Sequence, residues 1–274
     1  MGATELKPAQ LDAYLQRIGH TGACNTTLET LAAIQHAHAC SISFENLDPW
    51  LGVPVRLGPD AVHDKLVRGG RGGYCYEHNA LLGAALRTLG FSVTDHAARV
   101  LWNMPAEMVR PRTHMLLVVD LGSHQYVVDA GFGGMTLTAP LRLDLSTPQA
   151  TPHGPFRLQP TALDRVLQAE VAGEWKPVYR FDLQPQLRSD YEMASWYLCN
   201  HPDSMFRQLL VAARPGPAGR HVLRDRQLTL HRLDGSDDTS ILATPAELRD
   251  ALRGVFGIDL SAVPGLDERL ARLP

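Results

Sequence analysis

The segment RGGRGGYCYEHN, Arg68 to Asn79, concentrates more potential chemistry than any other in the chain. Two Arg-Gly-Gly units are a feature of RNA-binding tracts, closely spaced glycines can cradle phosphate, and Cys75 can serve as a nucleophile. Cysteine reacts as the thiolate, and a free thiol, with a pKa near about 8.5, is mostly protonated at neutral pH. A helix N-terminus and a neighbouring imidazolium both favour the anion. The pattern YEHNALLGAALRTLG carries Leu82, Leu86 and Leu89 at helical spacing and stops at Gly90, so Cys75 sits at or just before a helix N-terminus. The second requirement is a histidine whose other ring nitrogen is held by an acceptor.

Twelve histidines make any single one uninformative, but His114 stands out by context. The stretch RTHMLLVVDLGSHQYVVDAGFGG reads as a β-hairpin in which His114 opens the first strand and Asp129 ends the second. If the turn centres on Gly122 and Ser123, His114 faces Gly131 and Asp129 lies one diagonal step away on the same face. A one-residue change in the loop puts them on opposite faces. On one face, the carboxylate would fix the imidazole tautomer and stabilise its charge, completing a Cys-His-Asp arrangement.

The other readings of the glycine segment fail on context. RNA-binding Arg-Gly-Gly tracts are repeated and disordered, whereas this one lies between amphipathic helices in a chain of formal charge −3. No basic patch extends beyond Arg68 and Arg71, so no nucleic-acid partner is expected. A phosphate loop needs Lys and Ser or Thr after its glycines, and here Tyr74 and Cys75 follow. Gly72 and Gly73 are read as letting the backbone turn sharply into the helix, and Arg71 with Glu77 as a structural pair or hydrogen-bonding scaffold. Cys75 with His78, and Cys199 with His201, are isolated pairs, so no metal site is expected. His36, His38, His96 and His153 read as surface or satisfied core residues.

These residues must be positioned by the rest of 274 residues, enough for one large domain or several small ones. Hydrophobic residues make up 45% and charged ones 20%, which excludes both a disordered chain and a membrane protein. The first residues, MGATELKPAQLDAY, lack the apolar core of a secretory leader, and Leu6 stands where a myristoylation site needs Ser or Thr. No apolar run is long enough for a transmembrane helix. With four scattered cysteines and no CxxC spacing, the expectation is a cytoplasmic protein with reduced thiols and no membrane partner.

The first ninety residues read as helices. AQLDAYLQRIG places Leu11, Leu15 and Ile18 on one face and closes on Gly19, and TLETLAAIQHAHA begins with a Thr26/Glu29 capping box. From about Phe91 the segments FSVTDHAARVLW, HMLLVVD, QYVVDAGFGG, FRLQ and VLQAEVAGEWKPVYRFDL are short, β-branched and punctuated by turn residues, as an antiparallel sheet or small barrel requires. A helical pattern returns at YEMASWYLCNHPDSMFRQLL. The tail adds the strands HVLRD and LTLHRL and a helix capped by Thr244, Pro245 and Glu247, with Gly257 as stop. Helical, then β, then mixed: the fold class is α+β, in three parts.

RGGYCYEHN with Cys75, THMLLVV with His114, YVVDAGFGG with Asp129 and the upstream FENLDPWLG together resemble the arylamine N-acetyltransferase family in order and approximate spacing. The similarity runs from about Leu11 into the C-terminal part. One departure is Ser43, where the family often has Pro before Phe-Glu-Asn. The resemblance implies a cysteine-protease-like core: a helical bundle over 1–92 carrying the nucleophile, an antiparallel β-barrel over 93–190 carrying His and Asp, and an interdomain helix with an α/β lid over 191–274. It implies Cys75, His114 and Asp129 as catalytic triad, acetyl-CoA as acetyl donor and co-substrate, and arylamines or hydrazines as acceptors in xenobiotic metabolism. The acetyl group would pass through a thioester on Cys75 by a ping-pong route. Phe44, Phe132 and Phe206 match positions that line the acceptor pocket, while Thr113, the backbone of Gly131 to Gly134 (Gly131 and Gly133 foremost) and His231 are candidates for CoA contacts. A monomer or weak homo-oligomer is expected.

Two other classes share parts of this pattern. A cysteine peptidase or transglutaminase-like enzyme uses the same three residue types up to the acyl-enzyme, and a non-enzymatic binding protein has no use for an activated thiol. The acyl donor separates the first from a transferase, and the reactivity of Cys75 separates the second.

Overall fold

The computed structural model describes residues 5–105 and 108–274; the leader reading falls in part on residues 1–4 and lies outside them. Helical spacing in the first part becomes the helices Pro8–Ile18, Leu28–Ser41 and Cys75–Thr88. Gly19 ends the first at φ 69°, and Gly90 follows the third at φ 91°, both in the left-handed region that spares glycine a Cβ clash. The second helix departs from expectation by one residue. Its N-cap is Thr27, not Thr26, because a capping hydroxyl must reach the amide three residues on, and Thr27 Oγ1 accepts from Thr30 N at 3.3 Å.

The β segments form one seven-stranded antiparallel sheet in the order Leu141–Arg142, Gln125–Val128, Arg112–Asp120, Ser92–Val100, Glu174–Phe181, Arg165–Val171, Phe156–Pro160. Gln149 bridges its two edges. Gln149 exchanges backbone hydrogen bonds with Phe156 at 2.7 and 3.0 Å, while its side-chain amide does the same with the backbone of Arg142 at 2.7 and 3.0 Å. The sheet therefore curls into a nearly closed barrel, which hides the unpaired edges.

Alternation along Arg112–Asp120 divides two cores. Leu116 and Val118 enter the barrel interior with Val127, Phe156, Leu167 and Tyr179, whereas Met115, Leu117 and Val119 pack outward against the helices. This parity puts His114 on the inner face. In the adjoining strand Val127 also points inward and Val128 outward, so Asp129, just beyond, shares the inner parity.

A third part follows the helices Arg188–Asn200 and Met205–Gln208. Its five-stranded sheet runs Phe44–Glu45, Val211–Gly216, Gly219–Arg224, Gln227–Arg232, Asp237–Ile241. The first of these strands comes from the N-terminal part, so Phe44 pairs with Ala213 on one side and Gly73 on the other. Helices Pro245–Gly254, with the Thr244/Glu247 capping box, and Leu266–Ala271 cover this sheet through Leu223, Leu248, Leu252 and Phe256. The fold class is α+β. Among the described residues no helix is long and apolar enough to cross a membrane.

Because the Gln149 side-chain amide makes two of the hydrogen bonds that join the barrel edges, Gln149→Ala is expected to cost about 1–3 kcal/mol of unfolding free energy in urea titrations. An unchanged midpoint and slope would show that the barrel does not need this latch.

Candidate active site

Cys75 is the first residue of its helix, and its sulfur lies 3.6 Å from the carbonyl oxygen of Thr113. That carbonyl is available through an irregularity in the barrel. Ala98 pairs with His114 and Arg99 with Arg112, leaving Thr113 as an extra residue in its strand. Such a bulge re-aims the backbone, here toward the thiol.

The hairpin turns at Gly122 and Ser123, with Asp120 opposite Gln125 and Leu117 opposite Val128. In that register His114 Nε2 lies 2.7 Å from Asp129 Oδ2, and the two side chains are 3% and 0% exposed. With Nε2 turned to Asp129, Nδ1 is the His114 ring nitrogen left for the Cys75 side chain. Burial disfavours a charged imidazole, but the Asp129 carboxylate, together with the cysteine, outweighs it and pushes the His114 pKa up to about 10. Burial likewise opposes the Asp129 charge; His114 and the donors from Asn79 and Gly131 overcome that and hold its pKa below the ordinary 3.8.

Asn79 was not singled out by the sequence, yet it ties the site together. Its Nδ2 donates to Asp129 Oδ1 at 2.9 Å and to the Met115 carbonyl at 2.7 Å, and its Oδ1 accepts from Ala130 N at 3.1 Å. The available signal was position: Asn79 lies four residues after Cys75, one turn along the same helix face. Tyr179, for which the sequence held no signal, packs against His114 with its ring tilted by 37°, at 4.9 Å between ring centroids. Its buried hydroxyl lies near Asp129 but makes no hydrogen bond of normal geometry. Gln35 donates to the carbonyls of Asp129, Leu137 and Ala139 at 3.3 to 3.4 Å, anchoring the segment after Asp129.

Two glycines explain how the parts approach so closely. A Cβ on Gly131 would lie 2.8 Å from Cys75 Cα and 3.0 Å from Asn79 Nδ2, so only glycine lets the helix start sit against the hairpin end. Gly72 and Gly73 serve the same purpose instead of the sharp turn expected of them. Neither has positive φ; side chains there would meet the Ser43 carbonyl and the Glu77 carboxylate. Of the two structural readings, Arg71 and Glu77 do not pair with each other but each belongs to a hydrogen-bonding scaffold. Arg71 reaches Glu45 and Asp48, while Glu77 takes Lys65 at 2.7 Å and caps the helix through Tyr74 N at 3.1 Å. Capping turns the Glu77 carboxylate toward the helix start and Lys65. Burial pushes its pKa up to about 7 against the pull of Lys65.

Of the expected pocket residues, Phe132 packs edge-on against His114 at 5.0 Å, and Phe44 meets Phe206 at 6.0 Å. Gly133, at φ 78°, lies under the Phe44 ring. His231 is elsewhere: it is half exposed in the strand Gln227–Arg232, with Nδ1 2.7 Å from Asp237 Oδ1. A cleft of about 700 Å³ between residues 54–61 and the Arg188–Asn200 helix is lined by none of the expected site residues. Among the described residues, no group of three or more His, Cys, Asp or Glu is placed to hold a metal ion.

Comparison with known proteins agrees with the resemblance in the motifs. Residues 27–264 match an N-acetyltransferase family. The arylamine N-acetyltransferase of Mycolicibacterium smegmatis is 44% identical over 94% of both chains. The arylamine N-acetyltransferase / N-hydroxyarylamine O-acetyltransferase of Salmonella typhimurium is 42% identical, covering 92% of this chain and 90% of its own. The structure of Mycobacterium marinum arylamine N-acetyltransferase in complex with CoA superposes with a TM-score of 0.93 at 41% identity, covering 96% of this chain and 99% of the other.

The His114–Asp129 pair carries a signed pH dependence. A pKa raised from 6.5 contributes stability that is fully present below about pH 6.5 and lost as pH rises toward about 10. Unfolding free energy measured across that window is expected to fall more steeply in the unaltered protein than in Asp129→Asn. Parallel declines would mean that the pair is not charged in the folded state.

Proposed function

The chain belongs to the arylamine N-acetyltransferase family and is an acyltransferase, and on that premise we propose that it moves an acetyl group from acetyl-CoA to arylamines and arylhydrazines through a thioester on Cys75. The observation that carries this reading is the buried His114–Asp129 pair beside the start of the Cys75 helix, with the Cys75 sulfur 3.6 Å from the carbonyl oxygen of Thr113, the residue before His114. Acetyl-CoA as donor is supported by the CoA complex of the Mycobacterium marinum relative.

In this reading the proton of Cys75 resides on His114, whose charge Asp129 stabilises. The sulfur attacks the acetyl carbonyl, the carbon–sulfur bond to CoA breaks, and His114 returns the proton to the departing CoA sulfur. Exchanging one thioester for another is nearly isoenergetic, so the intermediate is neither trapped nor out of reach. With the cysteine acylated, His114 is neutral and can accept the amine's proton as nitrogen attacks the thioester and the Cys75 sulfur leaves. Arylamines are weak bases and largely uncharged at neutral pH, so one proton acceptor suffices. Asp129 keeps the Nε2–H tautomer in place, leaving Nδ1 for the sulfur. Phe44, Phe132 and Phe206 offer flat apolar faces for the acceptor ring. Thr113, Gly131, Gly133 and His231 remain candidate CoA contacts, and the C-terminal part a lid that excludes water. We read the protein as cytoplasmic and as a monomer or weak homo-oligomer.

Incubation with acetyl-CoA is expected to add the mass of one acetyl group to the intact protein, removed again by aniline and absent in Cys75→Ala. No gain, with peptide cleavage or cross-linking instead, would favour the hydrolase or transglutaminase class. Double-reciprocal plots should be parallel; intersecting lines would count against a covalent intermediate. Asp129→Asn is expected to lower turnover by a factor on the order of 10⁴, since it stabilises the wrong tautomer. Near-normal turnover in that variant would remove Asp129 from the mechanism.

A further inference from the structure

A chain of buried polar groups lies behind the acceptor side of the site and takes no part in the chemistry above. Tyr14 Oη is 2.9 Å from His38 Nδ1, His38 Nε2 is 2.9 Å from His78 Nδ1, and His78 Nε2 is 3.1 Å from the carbonyl oxygen of Ser43. Tyr14, His38 and His78 are each 0% exposed. A carbonyl can only accept, so His78 Nε2 carries a proton. With neutral rings, His78 Nδ1 then accepts from His38 Nε2, and His38 Nδ1 accepts from the Tyr14 hydroxyl, which gives the whole chain one direction. Burial keeps both rings neutral: it lowers the His78 pKa to about 4 and holds that of His38 well below the usual histidine range.

The chain terminates on the residue before Phe44. The Ser43 carbonyl that receives the His78 proton also accepts from Gly73 N at 3.3 Å, the contact that lines up Phe44 beside the glycine segment. The His78 ring lies nearly parallel to the Phe44 ring, with 9° between planes and 6.4 Å between centroids. One imidazole therefore fixes both the peptide ahead of Phe44 and one face of its ring. Phe206, edge-on, and Gly133 also lie against that ring. Such a chain, each link satisfied by the next, is rigid because breaking any link strands a buried donor or acceptor.

We propose that Tyr14, His38 and His78 are positioning residues that set Phe44 for the incoming acceptor, so that they govern amine attack on the acetyl-enzyme and leave acetylation of Cys75 alone. This rests on the acyl-transfer reading and on Phe44 as a wall of the acceptor pocket.

The two half-reactions can be measured separately in the full-length protein, acetylation by a single turnover with acetyl-CoA and transfer by kcat/KM for aniline. His78→Leu is expected to reduce the aniline value about tenfold to a hundredfold, with the acetylation rate within about twofold of the unaltered protein. His78→Gln, whose amide can still donate to Ser43, should recover part of the loss. Tyr14→Phe removes one hydroxyl and should act in the same direction, less strongly; it decides the matter if His78→Leu does not fold. Nitrogen-15 NMR of the unaltered protein should show both rings as neutral Nε2–H tautomers from about pH 5 to about pH 8. Equal losses in both half-reactions, no loss in either, or an Nδ1–H or charged His78 would overturn the proposal. If the unaltered protein takes up no acetyl group, it is the acyl-transfer reading that fails.

Discussion

The contact on which the site depends is the 2.7 Å hydrogen bond between His114 Nε2 and Asp129 Oδ2, enclosed where neither side chain meets solvent. A charge so placed is costly unless every lone pair of the carboxylate is used. Asp129 Oδ1 therefore receives Asn79 Nδ2 and Gly131 N, at 2.9 and 2.8 Å, while Oδ2 is kept for the histidine. Asn79 belongs to the helix that begins with Cys75, so the group that satisfies the carboxylate also fixes the distance between that helix and the barrel. Electrostatics and architecture are one constraint here.

That constraint explains several local choices. The helix start can reach the hairpin only because Gly131 has no side chain, and the bulge at Thr113 turns a carbonyl toward the sulfur where regular pairing would not. On the far side of the helix, Glu77 caps the buried amide of Tyr74 and is held by Lys65, which in turn shares Asp48 with Arg71. The first turn of the helix is therefore fixed from both sides, and Cys75 has little freedom to drift from His114.

Much of this was legible in the sequence, and for reasons that can be named. The hairpin register follows from a short loop at Gly122 and Ser123, and strict alternation then dictates which residues share a face. The helix of Cys75 follows from leucine spacing and Gly90. What could not be read were interactions between segments far apart in the chain. Asn79 and Gln35 look like ordinary polar residues on amphipathic helices until the barrel end arrives beside them, and Tyr179 is one aromatic among several in a strand. Arg71 and Glu77 are close in sequence and opposite in charge, yet each finds a better partner, Glu45 and Lys65, across the fold. The strand Asp237–Ile241 escaped notice because all five residues are exposed and show no alternation, and Val211–Gly216 because Pro215 and two alanines mask its pairing.

If the proposed chemistry holds, the charge on His114 must change as the sulfur is acylated, since the imidazole gains its proton from Cys75 and loses it with CoA. Nitrogen-15 NMR of the His114 ring, recorded near pH 7.5 in the free protein and again after acetylation, tests this most directly. The account predicts a doubly protonated ring in the free protein, titrating only toward about pH 10, and a neutral Nε2–H ring in the acetylated form. A His114 ring that is already neutral in the free protein, or that does not change on acetylation, would contradict it.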